Sequence, residues 1–392
     1  MRLAEWVRRL TAHPGLNSLL TSLEGTCAWR SVAPEARPVL LAAAYDHAPR
    51  KTLIVTASYE RALHWQAKLA LCGVPQGYLY QLPSGSSALF EDALPEHIAL
   101  SDRLGGLRAL VDDGPCVVIG SPQAVLERTL PRDLLIDAFV SAKPGDTVEP
   151  EILVRRLARL GYERAEPVRL PGQFSQRGGI LDVYPTGRDL PVRLEFFGDQ
   201  IESLRTFDPN SQRSTGSLPA LAIAPSRETL FTERDEGLAD LVASTIHREA
   251  AALDEEGAAR LEELVGEDAE SLRAHRFFDR LDLYRPMLHP ESGCALDLLG
   301  PDDLVVLDEP LELESIATRT EEELGQALHA RAERGEILAS LPNDFLLPPE
   351  HLGSPAGLLV LSAMNSWPGW LSVAREEEVG ASSLDPYRGR PE

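Results

Sequence analysis

Lysine is almost missing from this 392-residue chain: it occurs only at Lys51, Lys68 and Lys143, so the 38 basic residues are nearly all arginine. The shortage bears on phosphate chemistry, because a phosphate loop of the form G-x-x-x-x-G-K-[ST] needs a lysine directly after glycine. Arg50, Ala67 and Ala142 precede the three lysines, and in the nearest imitation, Lys51-Thr52, Arg50 and Tyr45 stand where the two glycines belong. Tight triphosphate binding at such a loop is therefore not expected. Paired cysteines are lacking too. Cys27, Cys72, Cys116 and Cys294 lie far apart and form no C-x-x-C pair, which argues against structural zinc and for buried free thiols. No apolar run approaches the ~18 residues of a membrane helix. The start Met-Arg-Leu-Ala-Glu-Trp has none of the three parts of a signal peptide, so a cytoplasmic location is expected. Positive charge is also scarce: the net charge of −23 opposes non-specific duplex binding, though a local arginine patch can still touch nucleic acid.

Catalytic signatures are equally scarce. There is no G-x-S-x-G elbow, no H-E-x-x-H helix and no EF-hand spacing, and the nine histidines are scattered. His247 and His275 sit in polar, helical company and read as surface residues. Leu304-Val-Val-Leu-Asp308-Glu309 has the form of a Walker B strand, apolar residues leading to carboxylates, but that pattern has low specificity without a phosphate loop. No catalytic residue, metal or cofactor is assigned.

What is there is an ordinary globular composition, 43% hydrophobic and 25% charged, in a chain long enough for two or three domains. From the start to about residue 138 strands and helices alternate. Leu53–Ala57 is a strand closed by Ser58, an N-cap for a helix Tyr59–Leu71, and Cys116–Gly120 repeats the design with Ser121-Pro122 opening a helix. Strands of this kind, apolar on both faces and separated by helices, predict a parallel α/β sheet. Gln81–Leu94, rich in Ser, Gly and Pro, reads as an ordered loop. The character changes near Phe139–Gly145: an amphipathic helix Pro150–Leu160 leads into hairpins up to Ala224. Thr232–His275 is acidic and helix-forming. The Asp302–Pro310 strand and a helix Leu311–Gly335 follow. Leu346-Leu-Pro-Pro349 reads as a linker, and Leu358–Leu361 with Trp367–Val373 as the opening of a unit that the chain does not complete.

The most informative stretch is Phe174–Arg213. An Arg177-Gly-Gly corner opens one strand, and Val192–Phe197 alternates before turning at Gly198-Asp199. Period-two alternation puts Val192, Leu194 and Phe196 on a buried face and Arg193, Glu195 and Phe197 on a wet one. Phe197 is anomalous there. Either it folds back over the turn at Gly198, or it is presented outward beside arginines, the composition of an interface hot spot.

RGGILDVYPTG followed by PVRLEFFGDQIESLRTFDPNSQRS resembles the N-terminal region of the bacterial transcription-repair coupling factors, itself similar to the excision-repair protein UvrB. The resemblance runs back through Phe90-Glu91 and Arg103-Leu104 and forward through Tyr284–Leu288 to the Val305–Pro310 strand, about the first 340 residues. It implies an α/β fold: a RecA-like parallel-sheet domain interrupted by a small hairpin-rich α/β domain. The expected parts are residues 1–138, 139–224 as the UvrA-binding domain, 225–340 packing back on the first, and 341–392 as a linker and the start of an incomplete next domain. It further implies that the phosphate loop of UvrB is degenerate here, with Ser22-Leu-Glu-Gly-Thr-Cys27 standing roughly in its place and Asp308-Glu309 a relic. The chain is then a non-catalytic adaptor recruiting UvrA through Arg177, Arg193 and Phe197, on a face that other domains of its own polypeptide can mask. RNA polymerase and DNA would be engaged only through regions outside this chain, as would ATP-driven translocation. The alternative is a UvrB-like, nucleotide-dependent DNA-binding protein using Asp308 and Glu309.

Overall fold

The computed structural model describes residues 3–11, 16, 25–85, 97–232, 237–342, 344–355 and 357–381. Four strands open the chain: β1 (Thr26–Val32), β2 (Thr52–Val55), β3 (Leu79–Leu82) and β4 (Val117–Gly120). A hairpin region follows, with β5 (Val140–Ala142), β6 (Glu163–Arg164), β7 (Gln173–Arg177), β8 (Ile180–Val183), β9 (Val192–Phe197), β10 (Gln200–Phe207), β11 (Ser214–Ser217) and β12 (Leu221–Ile223). The last three are β13 (Leu304–Asp308), β14 (Leu358–Leu361) and β15 (Arg375–Ala381).

β1 to β4 and β13 to β15 form one seven-stranded sheet in the order β15-β1-β14-β13-β2-β4-β3, and its ladders are all parallel. Its central strands are apolar at successive positions because both faces are covered. Leu53 and Val55 enter one core and Ile54 the other; Val305 and Leu307 alternate likewise with Leu304 and Val306. One core is roofed by the helices Arg37–His47 and Tyr59–Cys72, the other by His97–Val111 and the start of Pro310–Glu333. The expected caps are in place: the Ser58 hydroxyl accepts from the Arg61 amide at 3.2 Å and that of Ser121 from the Ala124 amide at 3.3 Å. A third core joins Leu238–Ala250, Glu255–Arg273 and the far end of the Pro310–Glu333 helix. No helix among the described residues is long and apolar enough to cross a membrane. Part of the expected loop Gln81–Leu94, including Phe90-Glu91, lies outside the described residues.

β6 to β11 form a six-stranded sheet in the order β11-β10-β9-β8-β7-β6, antiparallel except for the β6–β7 pair, while β5 and β12 pair antiparallel beside it. Leu181, Val183, Val192, Leu194, Ile201 and Leu204 point to its buried face, where the amphipathic helix Pro150–Arg159 contributes Leu153 and Leu157.

The expectation of a linker and an unfinished unit over 341–392 is corrected. Leu346 is buried and bridges to Glu127, and the Leu347 amide donates to the Leu126 carbonyl at 2.9 Å. β14 lies inside the large sheet between β1 and β13, and Trp370 Nε1 donates to Glu314 at 2.7 Å. Among the described residues β1 pairs only with β14 and β15, so the first strand joins the sheet through the last part of the described chain. Prolines and an isolated apolar run look like a linker when the strands that receive them are not neighbours in sequence.

Candidate functional site

Two arginine–carboxylate constellations stand out, one on the hairpin sheet and one at the carboxyl ends of the large sheet. On the hairpin sheet, Gly178 and Gly179 make a two-residue turn between β7 and β8. Gly178 has φ +58°, and a Cβ at Gly179 would come within 2.9 Å of the Phe196 carbonyl oxygen. Gly198 (φ +59°) opens the matching turn after Phe197. The register then sets Arg177 opposite Ile180, Ile180 opposite Glu195, and Asp182 opposite Arg193. Phe197, two residues beyond Glu195, is the diagonal neighbour of Ile180 on the same outer face.

Phe197 does not fold back over its turn: 78% of its surface is exposed. Arg177 is half exposed, with Asp182 at 3.5 Å and Glu166 at 3.7 Å. Arg193 is different. Its Nε and Nη2 donate to the two oxygens of Asp182 at 2.7 and 2.9 Å, and its side chain is only 17% exposed. Its guanidinium also lies 4.8 Å from the centroid of the Phe207 ring, which packs with Val168 and Tyr184 in a separate small core. The Asp182 hydrogen bond holds the Arg193 guanidinium above the usual arginine range, against the opposing pull of burial. The three residues picked from the sequence thus share one face, but two reach outward while the third is gripped from within. Asp182, buried in spite of its outer-face position, is the residue the sequence reading missed. Its place in the alternation after Ile180 was the available signal.

In the large sheet, a cleft of about 620 Å³ is lined by Arg37, Arg61, Trp65, Asp308, Glu309 and Met364, among others. Asp308 and Glu309 lie at the end of β13, where ligands of parallel α/β sheets bind. Here the chain itself fills the carboxylates. Arg37 Nη1 donates to Asp308 Oδ1, and Nη2 donates to Glu309 Oε1 at 2.6 Å. The Thr56 hydroxyl and Trp65 Nε1 donate to Asp308 Oδ2 at 3.0 and 2.9 Å. Glu309 also accepts from the Ala363 amide at 3.0 Å and sits at φ +66°, a strained conformation for a glutamate. Arg37 opens the first helix after β1, the place of the lysine in a strand–loop–helix phosphate site. That position corrects the expectation for Ser22–Cys27. Ser22, Leu23 and Glu24 lie outside the described residues, whereas Thr26 and Cys27 are already in β1. The loop between β1 and the helix is Ala33-Pro34-Glu35-Ala36, which carries no glycine.

Arg103 and Arg285 anchor a buried network between the sheets. Arg103 reaches Glu228 at 2.8 Å and Glu127 at 3.7 Å, and Arg285 reaches Glu127 at 3.3 Å and Asp282 at 2.9 Å. Burial alone would raise the Glu228 carboxyl, but Arg103 and Arg285 together hold it below the usual range. The cysteines are free and buried, as expected. One of them, Cys294, clusters with Asp297 and His351, whose donor atoms lie within 4.8 Å of one another. There burial, reinforced by Asp297, pushes the thiol up to about 12.

The parallel sheet interrupted by a hairpin-rich sheet defines a RecA-like, UvrB-like architecture. Residues 140–228 match the family described as the UvrB interaction domain. The chain is 34% identical over 272 residues to the transcription-repair-coupling factor of Myxococcus xanthus, a match covering 68% of this chain and 22% of that protein. To the Bacillus subtilis protein of the same name it is 28% identical, over 59% of this chain and 20% of that one. To the UvrABC system protein B of Thermosipho africanus it is 29% identical, over 53% of this chain and 33% of that protein. The chain is thus a UvrB-like module of the kind found in transcription-repair-coupling factors, and it spans only about a fifth of the length of those relatives.

Proposed function

We propose that this module is a non-catalytic adaptor of transcription-coupled nucleotide-excision repair, recruiting UvrA to polymerase stalled at DNA damage through Arg177, Arg193 and Phe197. The observation that carries the reading is Phe197: a phenylalanine at a hairpin turn, 78% exposed, beside a half-exposed arginine. An aromatic anchor with neighbouring guanidinium groups suits a partner that offers an apolar pocket rimmed by carboxylates. Recruitment by this chain needs no turnover. The cleft supports that half of the reading, because the carboxylates that would hold Mg²⁺ are taken by Arg37, Thr56, Trp65 and the Ala363 amide. Polymerase binding and translocation belong to regions outside this chain.

Calorimetric titration with purified UvrA tests the adaptor. Phe197→Ala should lower affinity by about 2 kcal/mol, roughly 30-fold, with the fold intact. Unchanged affinity rejects the site. A second reading, UvrB-like nucleotide-dependent DNA binding, draws on the position of Asp308 and Glu309 at the strand ends. Saturable ATP binding by the wild-type chain would favour it over the adaptor.

A further inference from the structure

We infer that Asp182 is the positioning residue of this docking face, setting the guanidinium of Arg193 for the partner, an inference that rests on the adaptor reading above. The geometry is specific. Asp182 stands on the outer face of β8, between Ser175 on one side and Arg193 on the other, yet only 1% of its surface is exposed. It accepts from Arg193 through both oxygens and lies 3.5 Å from Arg177 Nη2, so one carboxylate ties together the two arginines of the face. The planar fork of a guanidinium matches a carboxylate in two parallel bonds, which fixes its plane as well as its position. The Phe207 ring lies against the guanidinium, its centroid 4.8 Å from the central carbon.

Arg193 donates through Nε and Nη2, and its Nη1 makes no hydrogen bond among the described residues. Held between a carboxylate and a ring, the side chain has already lost the rotamer freedom that an unrestrained arginine loses on binding. A partner carboxylate therefore meets a donor in a fixed place. Asp182 itself is covered by the groups it organises, and it acts through Arg193 without touching the partner.

Two simpler accounts make opposite predictions. If only net charge matters, Asp182→Asn removes a negative charge from beneath two arginines and should tighten binding to an acidic partner. If Asp182 only stabilises the sheet, its loss should weaken binding by the same factor whether or not Arg193 is present. The test is a double-mutant cycle on the full chain, titrating UvrA against wild type, Asp182→Asn, Arg193→Ala and the double variant, with thermal melts of each. Positioning predicts that Asp182→Asn weakens binding about tenfold in the wild-type background and changes it by less than about twofold once Arg193 is alanine. Tighter or unchanged binding by Asp182→Asn, or equal losses in both backgrounds, overturns the inference. Should Asp182→Asn melt too early to assay, Asp182→Glu keeps the charge and moves it by one methylene. Weakened binding that vanishes in the Arg193→Ala background supports positioning, and wild-type affinity overturns it. Phe197→Ala separates the two levels of the argument. If it too leaves UvrA affinity unchanged, the docking face is wrong. If it weakens binding while Asp182→Asn does not, only the role of Asp182 fails.

Discussion

The cleft and the hairpin face are built from the same parts, an arginine held by carboxylates beside an aromatic ring, and they differ in what is left over. In the cleft, Arg37 is only 3% exposed and uses Nε, Nη1 and Nη2 inside the chain, on the Val32 carbonyl, Asp308 and Glu309. Trp65 turns its indole nitrogen inward to Asp308. On the hairpin sheet, Asp182 satisfies one edge of Arg193, and the strand ends on Phe197 in solvent. The first constellation closes on itself and holds four distant segments together: the helix after β1, the end of β2 with the helix that follows it, the end of β13 and the turn after β14. The second is braced below and open above. An ion pair of the first kind is a scaffold, and under the proposed function one of the second kind is a scaffold for a contact.

The closed site should therefore break as stability. Arg37→Ala strands two carboxylates in a confined space, and removing one partner of a buried pair costs about 3–5 kcal/mol. Urea denaturation should show that loss, while UvrA affinity measured below the transition stays at the wild-type value. A loss below 1 kcal/mol would mean that water reaches Asp308 and Glu309, and the contrast with the hairpin face would collapse. The network around Glu228 sharpens the same point through pH. Its carboxyl is held below the ordinary 4.5 in the fold, so it contributes stability that is present above that value and lost as the pH falls through the lower folded-state value. In melts run from neutral to acid pH, the stability gap between wild type and Glu228→Gln should be constant near neutrality and shrink as the pH drops below about 4.5. A gap that widens in acid would reverse the sign of the argument.

Period two made the hairpin face readable from the chain alone, because Arg193, Glu195 and Phe197 must share a side of any strand. The capture of Arg193 was not readable, since it depends on which residue of β8 stands opposite, a matter of the β8–β9 register across the connection between Val183 and Val192. Asp182 sits in Ile-Leu-Asp-Val, where three apolar neighbours disguise it as a strand interruption. Arg37 escaped for a different reason: a search for lysine after glycine passes over an arginine after Ala36, and the resemblance placed the loop at Ser22–Cys27, ahead of β1 instead of after it. The last sheet strands escaped because parallel neighbours are not adjacent in sequence. β14 lies between β1 and β13, and no local pattern in Leu358–Leu361 names either. Caps at Ser58 and Ser121 were legible because their signal is contained within four residues.

The open site should break as affinity. Phe197→Ala is expected to reduce UvrA binding by about 2 kcal/mol and to leave stability within about 0.5 kcal/mol, since the ring buries little within the chain. Arg177→Ala is the mildest case. Its contacts to Glu166 and Asp182 are 3.7 and 3.5 Å long and its own side chain is half exposed, so they contribute little to the fold. Asp182 keeps its two shorter bonds to Arg193 when Arg177 is lost. Stability should move by less than about 0.5 kcal/mol, and UvrA affinity should fall by about 1 kcal/mol, with the loss smaller at high salt because an exposed guanidinium is screened. If Arg177→Ala instead lowers stability as much as affinity, Arg177 belongs with Arg37 among the inward-facing arginines. The open face would then shrink to Phe197, Ile180 and the one unbonded nitrogen of Arg193, a patch in which apolar contact has to outweigh charge.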